Sequence, residues 1–166
     1  MVDIVDKATR SRMMSGIRGK NTQPELLIRR CLHRRGFRYL LHSGTLPGKP
    51  DLVFPKFKAV IYVHGCFWHA HECDYFKLPS SNRAFWRKKI KANVERDRRK
   101  IIQIRQLGWR SLVIWECAIR TALKSESSVL CDIASAWIKK SQEPYLELRG
   151  RHDHGISGRH KTARAL

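Results

Sequence analysis

LPGKPDLVFPKFKAVIYVHGCFWHAHEC, residues 46–73, begins in a turn, runs through two short β-rich segments and ends in a loop crowded with sulfur, imidazole and aromatic rings. Pro47, Gly48 and Pro50 interrupt any helical period, and Pro50 biases Lys49 toward extended backbone, delivering Asp51 to the start of "DLVF". "KAVIYV" follows. With "FRYLL" upstream and "HSGTLPGKP" between, the pattern predicts strands in hairpin order from Phe37 to Val63. Working outward, "NTQPELLIRRCLHRRG" reads as a capped helix: Thr22 and Glu25 have capping-box spacing, Leu26, Leu27, Cys31 and Leu32 supply the apolar stripe, and Gly36 is the stop. From Ser81 to Leu107 a long helical pattern sets Trp86, Ile90, Val94, Ile101 and Ile104 near one face against a dense basic face, and Gly108 ends it. "WRSLVIW" reads as a buried strand and "SVLCDIASAWIKK" as an amphipathic helix. The order helix, three strands, helix, strand, helix predicts an α/β domain with a central mixed β-sheet flanked by helices.

The chain of 166 residues fits one domain. Residues 147–166, "ELRGRHDHGISGRHKTARAL", show no apolar period and read as a basic, disordered tail, which leaves 1–146 as the folded unit. Charge is the strongest compositional signal: 34 Lys and Arg against 14 Asp and Glu give a formal net charge of +20. Such a surface favours a polyanion, because cationic side chains that neutralise phosphates release condensed counterions. There is no apolar run long enough to span a bilayer, and "MVDIVDKATRSRMM" puts acids and bases where a signal peptide needs an apolar core, so a cytoplasmic protein is expected. In a reducing compartment the five cysteines predict metal ligands or buried thiols rather than disulfides, and Cys31 and Cys131 read as plain core residues.

Cys66, His71 and Cys73 offer three soft or borderline ligands within eight residues, and Cys117 follows the "LVIW" strand, which completes a set suited to structural zinc. Buried thiols are the alternative. His64 and His69 lie outside that set, and each reads either as a satisfied core histidine or as a base titrating near neutrality. Asp51, the backbone of Val63, His64 and His69 should meet at one sheet end, where a lone carboxylate with carbonyl and phosphate oxygens suits magnesium. Glu25 could join them, although its spacing favours capping. Phe67 and Trp68 lie between the metal ligands and Trp86 opens the basic helix; rings beside cations are what unstacks base pairs. Met13, Met14 and Ile17 offer a second wedge or a docking surface. Asp97, on the apolar side of the basic helix, needs a partner, an Arg or a His, and reads by default as structural.

Together these segments resemble the very-short-patch-repair mismatch endonucleases, whose fold is that of type II restriction enzymes. The resemblance is carried by "DKATRSRMM", "LPGKPDLVF", "HGCFWHAHEC", "FWRKKIKANVERDRR" and "LGWRSLVIWECAIR", in order from Asp6 to Arg120. It implies a restriction-endonuclease-like nuclease domain over 1–146, with 1–20 as a DNA-contacting arm. The implied substrate is double-stranded DNA with a T·G mismatch left by deamination of 5-methylcytosine, nicked 5′ of the wrong thymine. It further implies that Cys66, His71, Cys73 and Cys117 hold zinc, that Asp51 and the main-chain oxygen of Val63 hold Mg2+, and that His69 activates water. His64 would orient the phosphate and Glu25 would support the site. Phe67, Trp68 and Trp86 would intercalate from the major groove, with Met14 and Ile17 opposite. A monomer in the bacterial cytosol and nucleoid, with other mismatch-repair proteins as further partners, completes the expectation. The second carboxylate and lysine usual in restriction enzymes are missing after Asp51, where "IYV" stands. Val63 replaces a threonine usual in the resembled family, and Ala70 and Glu72 interrupt its histidine run. The reading from another class is a zinc-stabilised DNA-binding module without catalysis.

Overall fold

The computed structural model describes residues 6–15, 19–150 and 155–159. Its elements are α1 (Lys7–Ser15), α2 (Gln23–Arg34), β1 (Leu40–Leu41), β2 (Leu52–Phe54), a single 3-10 turn at Pro55–Phe57, β3 (Ala59–His64), α3 (Arg83–Gln106), β4 (Arg110–Trp115), α4 (Glu116–Lys124), α5 (Val129–Lys140), β5 (Tyr145–Gly150) and β6 (Ile156–Arg159). The strands form one mixed sheet in sequential order, β1 to β6. The β1–β2–β3 segment is an antiparallel meander, β3, β4 and β5 run parallel, and β6 returns antiparallel to β5.

Alternation along the central strands feeds two cores. Ile61, Leu112, Ile114, Leu146 and Leu148 face α2, α4 and α5 through Ile28, Leu32, Ile119, Ala134 and Ile138. Val60, Tyr62, Val113, Trp115 and Tyr145 face α3 through Ile101 and Ile104. With both faces covered, β3 and β4 read as near-continuous apolar runs, as parallel central strands do. The capping box at α2 is formed: the Glu25 amide donates to Thr22 Oγ1 at 3.4 Å, and Glu25 accepts from the Thr22 hydroxyl and the Asn21 amide at 3.0 Å each. Among the described residues no helix is long and apolar enough to cross a membrane.

Three expectations need correction. Residues 147–166 are not all tail: β5 and β6 extend the sheet to Arg159, so the folded unit passes the boundary expected at 146. Tyr145, Leu146 and Leu148 are buried, and the intervening Glu147 is also buried because Tyr145, Trp115 and Arg149 donate to it. Basic neighbours concealed that strand. The short helix α4, which starts directly after β4 with no turn residue between, also escaped the pattern. Cys31 and Cys131, expected as plain thiols, are joined as a disulfide between α2 and α5, with Cα atoms 6.3 Å apart, inside the range a bridge can span. Lys49, finally, is left-handed at φ 48, because it closes a tight turn in which its amide donates to the Leu46 carbonyl.

Candidate active site and metal centre

The hairpin register carries Asp51 to the C-terminal end of β3. Leu52 pairs with Ile61, and Asp51 Oδ2 accepts the Val63 amide at 2.8 Å. A cleft of about 670 Å3 opens there, lined by Glu25, His42, Asp51, Val63, His64 and His69 among others. The expected catalytic residues therefore share one cleft. Burial pushes the Asp51 carboxyl up to about 6, with Glu25 adding to the effect, while the Val63 amide, Arg29 and Lys100 oppose it. A carboxylate so placed favours a cation beside it.

Glu25 both caps α2 and reaches the cleft. Arg29, buried behind it, donates to Glu25 Oε2 at 2.9 Å, to Asn21 Oδ1 at 2.6 Å and to His42 Nε2 at 2.8 Å. A guanidinium cannot accept, so His42 Nε2 is the acceptor and Nδ1 carries the proton, 3.7 Å from Asp51 Oδ1. Burial and the Arg29 charge hold His42 below its ordinary pKa, in the neutral form. Sequence reading missed His42, whose partners lie up to 17 positions away and share no spacing signal.

His64 and His69 stack with ring centroids 3.9 Å apart and planes 1° from parallel. His64 is buried, and burial together with neighbouring His69 pushes its pKa down to about 3, so it offers a neutral N–H rather than a charge. His69 Nδ1 pairs with Asp97 Oδ2. Because a carboxylate only accepts, Nδ1 carries the proton and Nε2 is left as the basic nitrogen. Burial raises the Asp97 carboxyl, but the hydrogen bond from His69, followed by the neighbouring His64, His69 and Lys100, holds it below the ordinary value. Asp97 Oδ1 accepts from Lys100 Nζ at 3.2 Å. Asp97 thus finds the histidine partner expected of it, with Lys100 rather than an arginine as the second, and it sits beside the site rather than serving the scaffold alone.

Cys66, His71, Cys73 and Cys117 place one donor atom each within 4.8 Å of one another and can hold a metal ion. The tight loop makes this possible: the His71 amide donates to the Cys66 carbonyl at 3.0 Å and the Cys73 amide to the His71 carbonyl at 2.8 Å, with Ala70 left-handed at φ 50. His71 stacks on Trp115 at 4.1 Å and turns Nδ1 to Cys117 Sγ at 3.5 Å. Cys117, in the first turn of α4, is brought down to about 4, chiefly by the Cys66 thiol and then by His71 and the Gly150 amide. Cys66 is pushed up by that same Cys117 pairing and by burial, and Cys73 is raised by burial. Left to themselves the three sulfurs therefore support one negative charge, and holding more thiolates requires a cation among them.

Phe67, Trp68 and Trp86 form one half-buried cluster outside both cores, with centroids 5.0 Å (Phe67–Trp68), 5.3 Å (Phe67–Trp86) and 6.0 Å (Trp68–Trp86) apart. Phe85, which sequence reading overlooked, adds an exposed ring against Trp86. Lys89 Nζ lies 5.4 to 5.6 Å from the Trp68, Trp86 and Phe85 rings. Met14 lies in α1, but its side chain, like that of Met13, and the whole of Ile17 fall outside the described residues.

Comparison with known proteins adds an independent finding. A family model described as "DNA mismatch endonuclease Vsr" matches residues 2–75. The chain is 43% identical over 138 residues to a DNA mismatch endonuclease Vsr of Escherichia coli K12, an alignment covering 83% of this chain and 88% of that protein. It is 44% identical over 119 residues to the type II nicking enzyme V.XorIIP of Xanthomonas oryzae pv. oryzae, covering 72% and 88%. Against the type II nicking enzyme V.NmeAIP of Neisseria meningitidis the figures are 41% over 120 residues, covering 72% and 86%.

Proposed function

Since the chain belongs to the Vsr family of DNA mismatch endonucleases, we propose that it nicks double-stranded DNA 5′ of the thymine in a T·G mismatch, using Mg2+ at Asp51 and zinc at the Cys–His cluster. The observation that carries this reading is the meeting, in one cleft, of the Asp51 carboxylate and the His69 imidazole, which is held from behind by Asp97. Asp51 and the main-chain oxygen of Val63 are the oxygen donors for Mg2+, a hard ion that keeps several waters. When bound, that ion supplies charge neutralisation at the phosphate.

The chain's own residues do the rest. His69 Nε2 takes a proton from the attacking water as the new bond to phosphorus forms. The bond from phosphorus to the leaving deoxyribose oxygen breaks, and that oxygen gains a proton from solvent. Asp97 holds the reactive tautomer of His69 and offsets the imidazolium that results. His64, neutral and stacked on His69, donates an N–H toward the phosphate. Glu25, through Arg29 and His42, fixes the side of the cleft next to Asp51.

Zinc suits the second cluster because three thiols and one imidazole at mutual distances within 4.8 Å match a closed tetrahedral set, which leaves no position open for water. Its role is structural: it pins the loop bearing Phe67, Trp68 and His69 to the end of β4. The ring cluster with Lys89 is the intercalating wedge, which enters where a weak pair is easiest to unstack.

A nicking assay with Mg2+ on matched-length duplexes carrying T·G, T·A or C·G at one site tests reaction, metal and discrimination together. Cleavage confined to T·G and lost in EDTA is expected. Equal cutting of T·A would sink the mismatch reading, and full activity without a divalent cation would sink the metal assignment.

A further inference from the structure

We propose that Lys100, carried in by α3, is a catalytic residue of the nicking site whose ammonium contacts a non-bridging oxygen of the scissile phosphate. The inference rests on the nicking function proposed above and adds to it a group that the strand sequence after Asp51 does not supply.

The cleft is acidic where the reaction needs positive charge. Glu25 and Asp51 line it, Asp97 lies behind His69, and His64 is neutral. A phosphodiester brought here adds another negative charge, which grows on the non-bridging oxygens in the transition state. The nearby cations differ in how they are held. Arg29 is buried and spent on Asn21, Glu25 and His42. Lys20 and Lys49 line the cleft but are exposed. Lys100 lines the same cleft with a side chain only 23% exposed, anchored by Asp97 Oδ1 at 3.2 Å.

Its aliphatic stem is guided as well as its head. A Cβ added to Gly48 would lie 2.4 Å from Lys100 Cδ and 2.5 Å from Cγ, so the stem crosses the very turn that delivers Asp51. Gly48, at φ 75, has both the backbone and the missing side chain that this passage demands. Lys100 is therefore held between the Asp97 carboxylate, which also orients His69, and the Asp51 turn, and its charge acts on both carboxylates. An ammonium has three donors, and the anchor uses one of them. It transfers no proton; it offsets charge on phosphate while His69 receives the proton from water.

The test compares Lys100→Met, which keeps the stem and removes the charge, with Lys100→Arg, which keeps the charge, in the full-length zinc-loaded protein. Single-turnover nicking of a T·G duplex at saturating Mg2+ should fall about 100-fold in Lys100→Met, the usual loss for one removed transition-state donor. The slope of log Kd against log salt, measured on the same duplex without a divalent cation, should shrink by about 0.9, one phosphate contact. Lys100→Arg should recover the slope and most of the rate. Wild-type rate or an unchanged slope in Lys100→Met would overturn the assignment, and so would equal loss of rate in both variants with lowered melting temperature, since that marks a scaffold role. If the wild-type protein itself fails to nick T·G duplexes, the nicking function has failed, and the salt slope still decides whether Lys100 meets phosphate.

Discussion

Asp97 has its two oxygens committed to different donors, His69 through Oδ2 and Lys100 through Oδ1, so one half-buried carboxylate sets the orientation of both. Replacing it with asparagine keeps the shape but sets an amide that can donate against Nδ1, which favours the tautomer with its proton on the reacting nitrogen. Asp97→Asn should therefore slow nicking by about 100-fold or more, within the usual range for general-base assistance, while mismatch-duplex binding stays within a few-fold. Single-turnover rates read beside a binding isotherm check this, and a proportionate loss of binding would refute it. His69→Ala and Asp51→Ala should each abolish nicking and leave binding, because neither belongs to the wedge or to the basic helix face; full activity in either would reject the mechanism. What could be read at this scale depended on locality. Asp51, His64, His69 and the candidate metal donors Cys66, His71 and Cys73 could be read from turn residues and close spacing, and Cys117 from its place just past an apolar strand. Asp97 showed only as a carboxylate on an apolar face, and His42 and Lys100 gave no signal at all, because their partners arrive by tertiary packing.

The elements around the candidate metal cluster explain why the chain needs its last strands. Cys117 lies in the first turn of α4, where unpaired amides favour a thiolate, and the Gly150 amide at the end of β5 donates to its sulfur at 3.3 Å. Glycine is required there: a Cβ at position 150 would lie 2.6 Å from the Cys117 carbonyl oxygen and 2.7 Å from Thr121 Oγ1. Gly150→Ala should cost about 1–3 kcal/mol by overpacking. It should also weaken metal retention, and thermal melting together with metal content per chain checks both effects. Cys117→Ser should go further, losing metal and soluble protein together, because the set of ligands is part of the fold; a well-folded, metal-free Cys117→Ser protein would contradict the structural role. The meander from β1 to β3 was readable since Pro and Gly punctuate it and the strands are apolar. β5 was not, because its alternation includes a buried glutamate that Tyr145, Trp115 and Arg149 make tolerable.

At the scale of the whole molecule two kinds of force act on DNA, and they separate experimentally. The net charge of +20 attracts any duplex regardless of sequence, whereas in the proposed reading the ring cluster at the start of α3 would engage bases only where a pair opens. The first was legible in composition; the second was legible only in part, since Phe85 and the seat of Lys89 among the rings emerge from the helix packing. If a handful of phosphates is contacted, affinity for matched and mismatched duplexes alike should drop by about a thousandfold or more between 50 and 200 mM salt. Trp68→Ala should leave that slope intact, because it removes no charge, and should cost about 1–3 kcal/mol on the T·G duplex, the worth of one stacked ring. On a matched duplex, whose pairs stay stacked, the same variant should bind as the parent does. Fluorescence anisotropy titrations of both duplexes over a salt series measure slope and offset at once, and an equal loss on matched and mismatched DNA would show that Trp68 contributes to the general surface and not to reading the mispair.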